Sequence, residues 1–161
     1  MNKFEQLVAI VAALRTPEKG CPWDLKQTRE SLVPNFIEEL YEVVEAIEDK
    51  DYYSLKEELG DLMLHIVMQA QISREQGLWN IDDVLDEIVS KLIRRHPHVF
   101  GELTLTDADA VKQNWERLKK AEKTERKSVL EGIPRSLPAL IQAQRTQEKA
   151  ASVGFDWQDI K

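Results

Sequence analysis

The sequence predicts an all-α fold, a helical bundle, and three observations point there. Apolar residues recur at three- and four-residue intervals through most of the chain. The interruptions fall on Gly, Pro and side chains that cap helices. No segment alternates at period two for long enough to make a strand, and no Gly-rich turn joins candidate hairpins.

Taken in order, Asn2 caps a first helix to about Arg15, with Phe4, Leu7, Val8, Val11 and Leu14 on its apolar face. Thr16 to Asp24 reads as a loop, because Thr16, Pro17, Gly20 and Pro22 break the pattern. A second helix starts around Ser31, accepts Pro34 in its first turn and stops near Asp49 to Asp51. Ser54, with Glu57 at the capping-box position, opens a third and longest helix to about Gln76, where Gly77 stops it. Asn80 caps a fourth, Ile81 to about Arg95, ended by His96 and Pro97. Thr106 or Asp107 opens a fifth, reaching Lys123, and a last short helix covers Ala139 to Ala151. Gly132, Pro134 and Pro138 mark the stretch before it as a connector or arm, which divides the chain into a domain over 1–125 and a connector over 126–161.

At 161 residues there is room for one sizeable core but not for two catalytic domains. The formal charge of −7 discourages non-specific binding to a nucleic acid backbone, so a polyanionic substrate needs a metal or a local basic cluster. A single cysteine, Cys21, excludes an intrachain disulfide and a thiolate-rich zinc site. The expectation is a cytoplasmic protein, since no signal-peptide core and no stretch of membrane-spanning length is visible. Nucleic acid binding through the basic run from Lys119 to Lys127 is disfavoured, because Glu122 and Glu125 interrupt it.

The informative residues are acidic. The second helix carries Glu38-Glu39-Leu40-Tyr41-Glu42 and the third Glu58-Leu59-Gly60-Asp61, so each offers a carboxylate pair three residues apart on one face. Two antiparallel helices presenting those faces to one another would gather Glu39, Glu42, Glu58 and Asp61 around one point. Oxygen-only ligands favour Mg²⁺, with Mn²⁺ as a substitute. Read alone, Glu39 and Glu42 look like solvated charges, for they lie opposite the stripe of Ile37, Leu40, Val44 and Ile47. The third helix decides more. It is apolar almost all round and should be buried, yet Glu58, Asp61 and His65 share one narrow stripe. Burying two carboxylates without partners costs several kcal/mol, so a cation or basic side chains should compensate them. Gly60 suggests a close approach of backbone, ligand or neighbouring helix, since Gly inside a helix costs about 1 kcal/mol against Ala. His65 is either a further ligand or a hydrogen-bonded core histidine. Its spacing from Asp61 is four, not the three of Glu-x-x-His sites, and favours the core. With no P-loop, nucleophile elbow or His-Glu-x-x-His present, metal-assisted hydrolysis is the chemistry left standing.

The EExxE and ExxD pair resembles the metal-binding motif of the all-α NTP pyrophosphohydrolases. Gly20-Cys21-Pro22-Trp23-Asp24, Glu58-Leu59-Gly60-Asp61-Leu62, Arg94-Arg95-His96-Pro97-His98-Val99-Phe100 and Ile133-Pro134-Arg135-Ser136-Leu137-Pro138 look like the MazG branch of that family. The resemblance covers effectively the whole chain. It implies a homodimer in which helices of both protomers complete the bundle, and hydrolysis of NTPs or dNTPs to monophosphate and pyrophosphate. It carries the ligand role to Glu39, Glu42, Glu58 and Asp61, and ordering or deprotonation of the attacking water to Glu38. It also implies nucleotide contacts for Lys91 and Arg95, one helical turn apart, and for Trp115 and Lys119; Trp23 receives no role.

Full-length MazG resembles two such domains in tandem, and this chain matches the N-terminal one with its connector. Where the active C-terminal domain of the family has a Lys, four residues before the second Glu of EExxE, this sequence has Asn35. Two alternatives therefore stand beside the hydrolase: a catalytically weak dimerisation or regulatory domain, and, within the enzymes, a dUTPase-like or phosphoribosyl-ATP pyrophosphohydrolase.

Overall fold

The computed structural model describes residues 1–122 and 128–155. Among them all regular structure is helical: α1 (Lys3–Leu14), α2 (Pro22–Lys26), α3 (Val33–Glu48), α4 (Tyr52–Glu75), α5 (Ile81–Arg95), α6 (Pro97–Phe100), α7 (Ala108–Ala121) and α8 (Ala139–Ala151). None is long and apolar enough to cross a membrane. The expected end of the fifth helix at Lys123, the end of the basic run at Lys127, and the boundary at 125 and 126 lie outside the described residues.

Two compact units are distinguished, Met1–Leu92 and Ile93–Lys161. In the first, α4 packs against α3 and α1. Its core is Val11 from α1, Leu32 from the approach to α3, Val67, Met68, Ala70 and Ile72 from α4, and Ile81 from α5, with Phe4, Leu7, Val8, Leu64 and Val84 packed around it. The second half of α4 thus meets the core, while the first half carries Glu58 and Asp61.

Local chemistry explains the helix ends. Asn2 and Glu5 form a reciprocal capping box on α1. At α4 the cap is Asp51, not Ser54: its carboxylate accepts from the amides of Tyr53 and Ser54, and the Ser54 hydroxyl donates to it at 2.8 Å. A charged acceptor at a helix N-terminus outcompetes a neutral hydroxyl one turn later. The stretch expected to be a loop between Thr16 and Asp24 contains α2, because Pro22 sits in its first turn, where a missing N–H costs nothing. Gly77, at φ +68°, ends α4 as expected.

Two polar straps fasten the segment before α3 to the far end of α4. Arg15, buried at 8 % exposure, grips the Glu75 carboxylate through Nε at 2.9 Å and Nη2 at 2.7 Å, and donates through Nη1 to the carbonyls of Asp24 and Gln27. Arg29 reaches Gln76 at 2.6 Å and Ser73 at 3.0 Å, and its carbonyl accepts from Gln69. Gly20 permits this folding-back, since a Cβ there would stand 2.2 Å from the Leu14 carbonyl oxygen. The Gly-Cys-Pro-Trp-Asp segment is therefore part of the clasp, with Trp23 half exposed on its outer side.

The expectation that α4 is buried all round is not met within one chain. Leu59, Met63 and Ile66 lie exposed, as do Ile37, Leu40, Val44 and Ile47 on α3 and Leu85, Ile88 and Val89 on α5. Among the described residues, α3 and α1 lie against α4 and Ile81 of α5 joins the same core, too little to cover its circumference.

Candidate metal centre

Lys50, in the left-handed region at φ 58°, turns the chain between α3 and α4. Glu42 and Glu58 are equidistant from it in sequence, and so are Glu39 and Asp61. Two helices packed about that turn consequently bring matching positions side by side. Single carboxylate oxygens of Glu39, Glu58 and Asp61 lie within 4.8 Å of one another, each residue partly buried. Glu42 is not one of these three, but its charge presses on both glutamates.

The electrostatics describe a site with too much negative charge. Burial raises the pKa of Glu39, reinforced by Asp61, Glu42 and Glu58. Glu58 is raised too, by burial first and then by Glu42, Asp61 and Glu57. No Lys or Arg forms an ion pair with Glu39, Glu58 or Asp61 among the described residues. The compensation that the sequence demanded does not come from basic side chains. Oxygens around one Mg²⁺ at about 2.1 Å stand at most about 4.2 Å apart, so a slight closure of the observed triad suits such an ion. The donor set, hard oxygens alone, fits it as well.

His65 lies one turn beyond Asp61, buried at 8 % exposure. Its Nε2 is 4.0 Å from Glu39 Oε1, its ring leans on Phe36 at 5.6 Å between centroids, and its Nδ1 is buried without a hydrogen-bond partner. Burial pushes its pKa down and Asp61 pulls it back up. Its place beside Glu39 was not legible from spacing within α4, because the partner sits on another helix. Glu38 is exposed and is not one of the three, and it lines a shallow hollow with Tyr41, Glu42, Glu45 and Glu48.

The residues expected to meet nucleotide are engaged with side chains of their own chain. Lys91 pairs with Glu87 at 3.2 Å. In the second unit Arg95, buried, holds Glu122 at 2.5 Å and lies over the Trp115 ring at 5.2 Å, with His96 against the same ring at 4.9 Å. Arg94 shares that carboxylate at 2.7 Å. Glu122 is held down to about 2 by Arg95 first and then by Arg94. Lys119 pairs with Glu116 at 3.2 Å. Glu122 was missed in the sequence, where it registered only as a break in a basic run.

Comparison with known proteins places these features. Residues 27–100 match the family described as the MazG nucleotide pyrophosphohydrolase domain. A nucleoside triphosphate pyrophosphohydrolase/pyrophosphatase MazG of Thermotoga maritima is 52 % identical over 157 residues, 97 % of this chain and 60 % of that protein. A nucleoside triphosphate pyrophosphohydrolase of Escherichia coli K12 is 44 % identical over 159 residues, covering 98 % of this chain and 60 % of its own length. The chain thus spans about 60 % of the length of these relatives. The crystal structure of a mazG-related protein from Thermotoga maritima superposes with a TM-score of 0.59 at 30 % identity, over 72 % of this chain and 98 % of that one. With the helix-borne acidic triad, the family match and a solved relative covered almost end to end all agreeing, the chain belongs to the MazG nucleotide pyrophosphohydrolase family.

Proposed function

We propose that this chain hydrolyses nucleoside triphosphates, NTP or dNTP, to the monophosphate and pyrophosphate at the α3–α4 acidic cluster, with Mg²⁺ held by Glu39, Glu42, Glu58 and Asp61. The observation that carries the proposal is the convergence of Glu39, Glu58 and Asp61 with no Lys or Arg paired to them among the described residues, in a chain whose relatives bear the name of that activity. A bound divalent cation supplies charge neutralisation of the triphosphate and a lowered pKa for water. The carboxylates fix where that charge sits. Glu38, exposed beside the cluster, is the group assigned to ordering or deprotonating the attacking water. Lys91, Arg95, Trp115 and Lys119 are assigned to nucleotide, the basic groups to phosphate oxygens and the indole to a stacking or hydrophobic wall. The catalytic domain is assigned to residues 1–125.

The working form is proposed to be a homodimer, because the apolar faces of α3, α4 and α5 left open in one protomer are those a second copy would cover. A second reading, a catalytically weak dimerisation or regulatory domain, draws support from Asn35 in place of a lysine and from the occupation of Arg95 by Glu122. Incubating the protein with a panel of NTPs and dNTPs plus Mg²⁺ and measuring pyrophosphate separates the two. Release that requires Mg²⁺, and falls by at least about a hundredfold in Asp61→Asn, is the expected outcome, since loss of a ligand should exceed the effect of losing an outer contact. Silence from a folded dimer across the whole panel favours the regulatory domain.

A further inference from the structure

We propose that His65 is a positioning residue for the acidic cluster: its Nε2–H is aimed at Glu39 Oε1 and holds that carboxylate in the orientation that lets its other oxygen serve the shared cation. This rests on the metal-centre reading above and extends it to a residue outside the four carboxylates.

Three features of the structure converge on this role. His65 is more than nine-tenths buried, in a stretch of α4 whose neighbours on the core side are apolar, and a packing residue there needs no ring nitrogens. Its Nδ1 is enclosed and has no partner. An imidazole in that setting is cheapest as the neutral tautomer with the proton on Nε2, for an enclosed lone pair costs less than an enclosed N–H. The Nε2 edge is the one that faces Glu39 Oε1, at 4.0 Å, so a small rotation of either side chain completes a hydrogen bond.

The geometry also explains why orientation needs fixing. Glu39 has three rotatable side-chain bonds and three carboxylate neighbours that repel it, so without a restraint it turns toward solvent. Phe36, one turn before it on the same helix, packs its ring against the imidazole at 5.6 Å between centroids and so limits how far the donor can swing from Glu39. A neutral donor restrains the carboxylate without cancelling the charge that the cation needs.

The test is Mn²⁺ titration into the nucleotide-free protein, followed by electron paramagnetic resonance, for wild type, Asp61→Asn, His65→Leu and His65→Gln. Leu keeps the bulk and deletes the donor; Gln restores an N–H at a similar reach. The expected result is an affinity about tenfold weaker in His65→Leu, with most of the loss recovered in His65→Gln. Wild-type affinity in His65→Leu, or Gln as weak as Leu, overturns the inference while leaving the metal centre standing, provided Asp61→Asn abolishes binding. Absence of Mn²⁺ binding in the wild type overturns both. Nitrogen-15 spectra of the wild-type imidazole give an answer that does not depend on the variants folding: the Nε2–H tautomer, with an Nε2–H resonance that moves on Mg²⁺ addition, is expected, and the Nδ1–H tautomer overturns the assignment.

Discussion

Glu39 and Glu58 have their charged forms disfavoured by burial and by the carboxylates around them, so both titrate above the ordinary value of 4.5. A carboxylate raised in the folded state stabilises the protein below its unfolded pKa and loses that contribution as pH rises through the folded value. Without divalent cation, Glu58→Gln should therefore melt higher than wild type near neutral pH and equally near about pH 4. Added Mg²⁺ should narrow the neutral-pH gap by stabilising the wild type. Thermal melts with and without chelator check both, and a lower melting point for Glu58→Gln in chelator would contradict the crowding. Glu122 has the opposite sign: with Arg95 and Arg94 holding it to about 2, its contribution is present above the ordinary range and lost as pH falls toward that value. Replacing it by Ala should speed amide exchange along Ala108–Ala121 at neutral pH, because α7 then loses its hold on the two guanidinium groups.

At the level of elements, the six longer helices were plain in the sequence, while the short α2 and α6 and the identity of a cap or a starter were less so. Asn2, Gly77 and the span of α8 were readable because each depends on a few adjacent residues. Asp51 and Pro22 were not, since several residues competed for one role and only the backbone geometry chose between them. The acidic pairs on α3 and α4 were visible as periodicity. Their meeting needed the Lys50 turn, and the approach of His65 to Glu39 needed the packing of one helix on the other. Asp51→Ala should cost about 1 kcal/mol in chemical denaturation, the worth of a helix cap. Gly60 gives a sharper result. A Cβ there meets nothing within 4 Å in the single chain, so the close approach inferred from sequence is not made inside the protomer. Gly60→Ala should stabilise the isolated chain by about 1 kcal/mol. If a second copy or a substrate closes on that face, the same change weakens dimerisation or turnover, and sedimentation together with pyrophosphate release reads the difference.

For the whole molecule, the exposed apolar faces of α3 and α4 are the largest departure from what a self-sufficient bundle would show. Leu40 at 50 % and Leu59 at 51 % exposure are the natural places to interrupt an association. Leu40→Glu should convert a dimer into a monomer in size-exclusion chromatography with light scattering, and an unchanged mass would remove this face from the interface. The Arg15 clasp has a consequence for anyone dissecting the protein. The recognisable family segment begins at residue 27, yet the guanidinium that neutralises Glu75 and the fully enclosed Val11 both lie upstream of it. A truncation cut to the borders of the recognisable motif would leave a stranded anion and an open trench along the bundle's longest helix. Heredity's signature and the stretch of polypeptide that closes this core are therefore not the same.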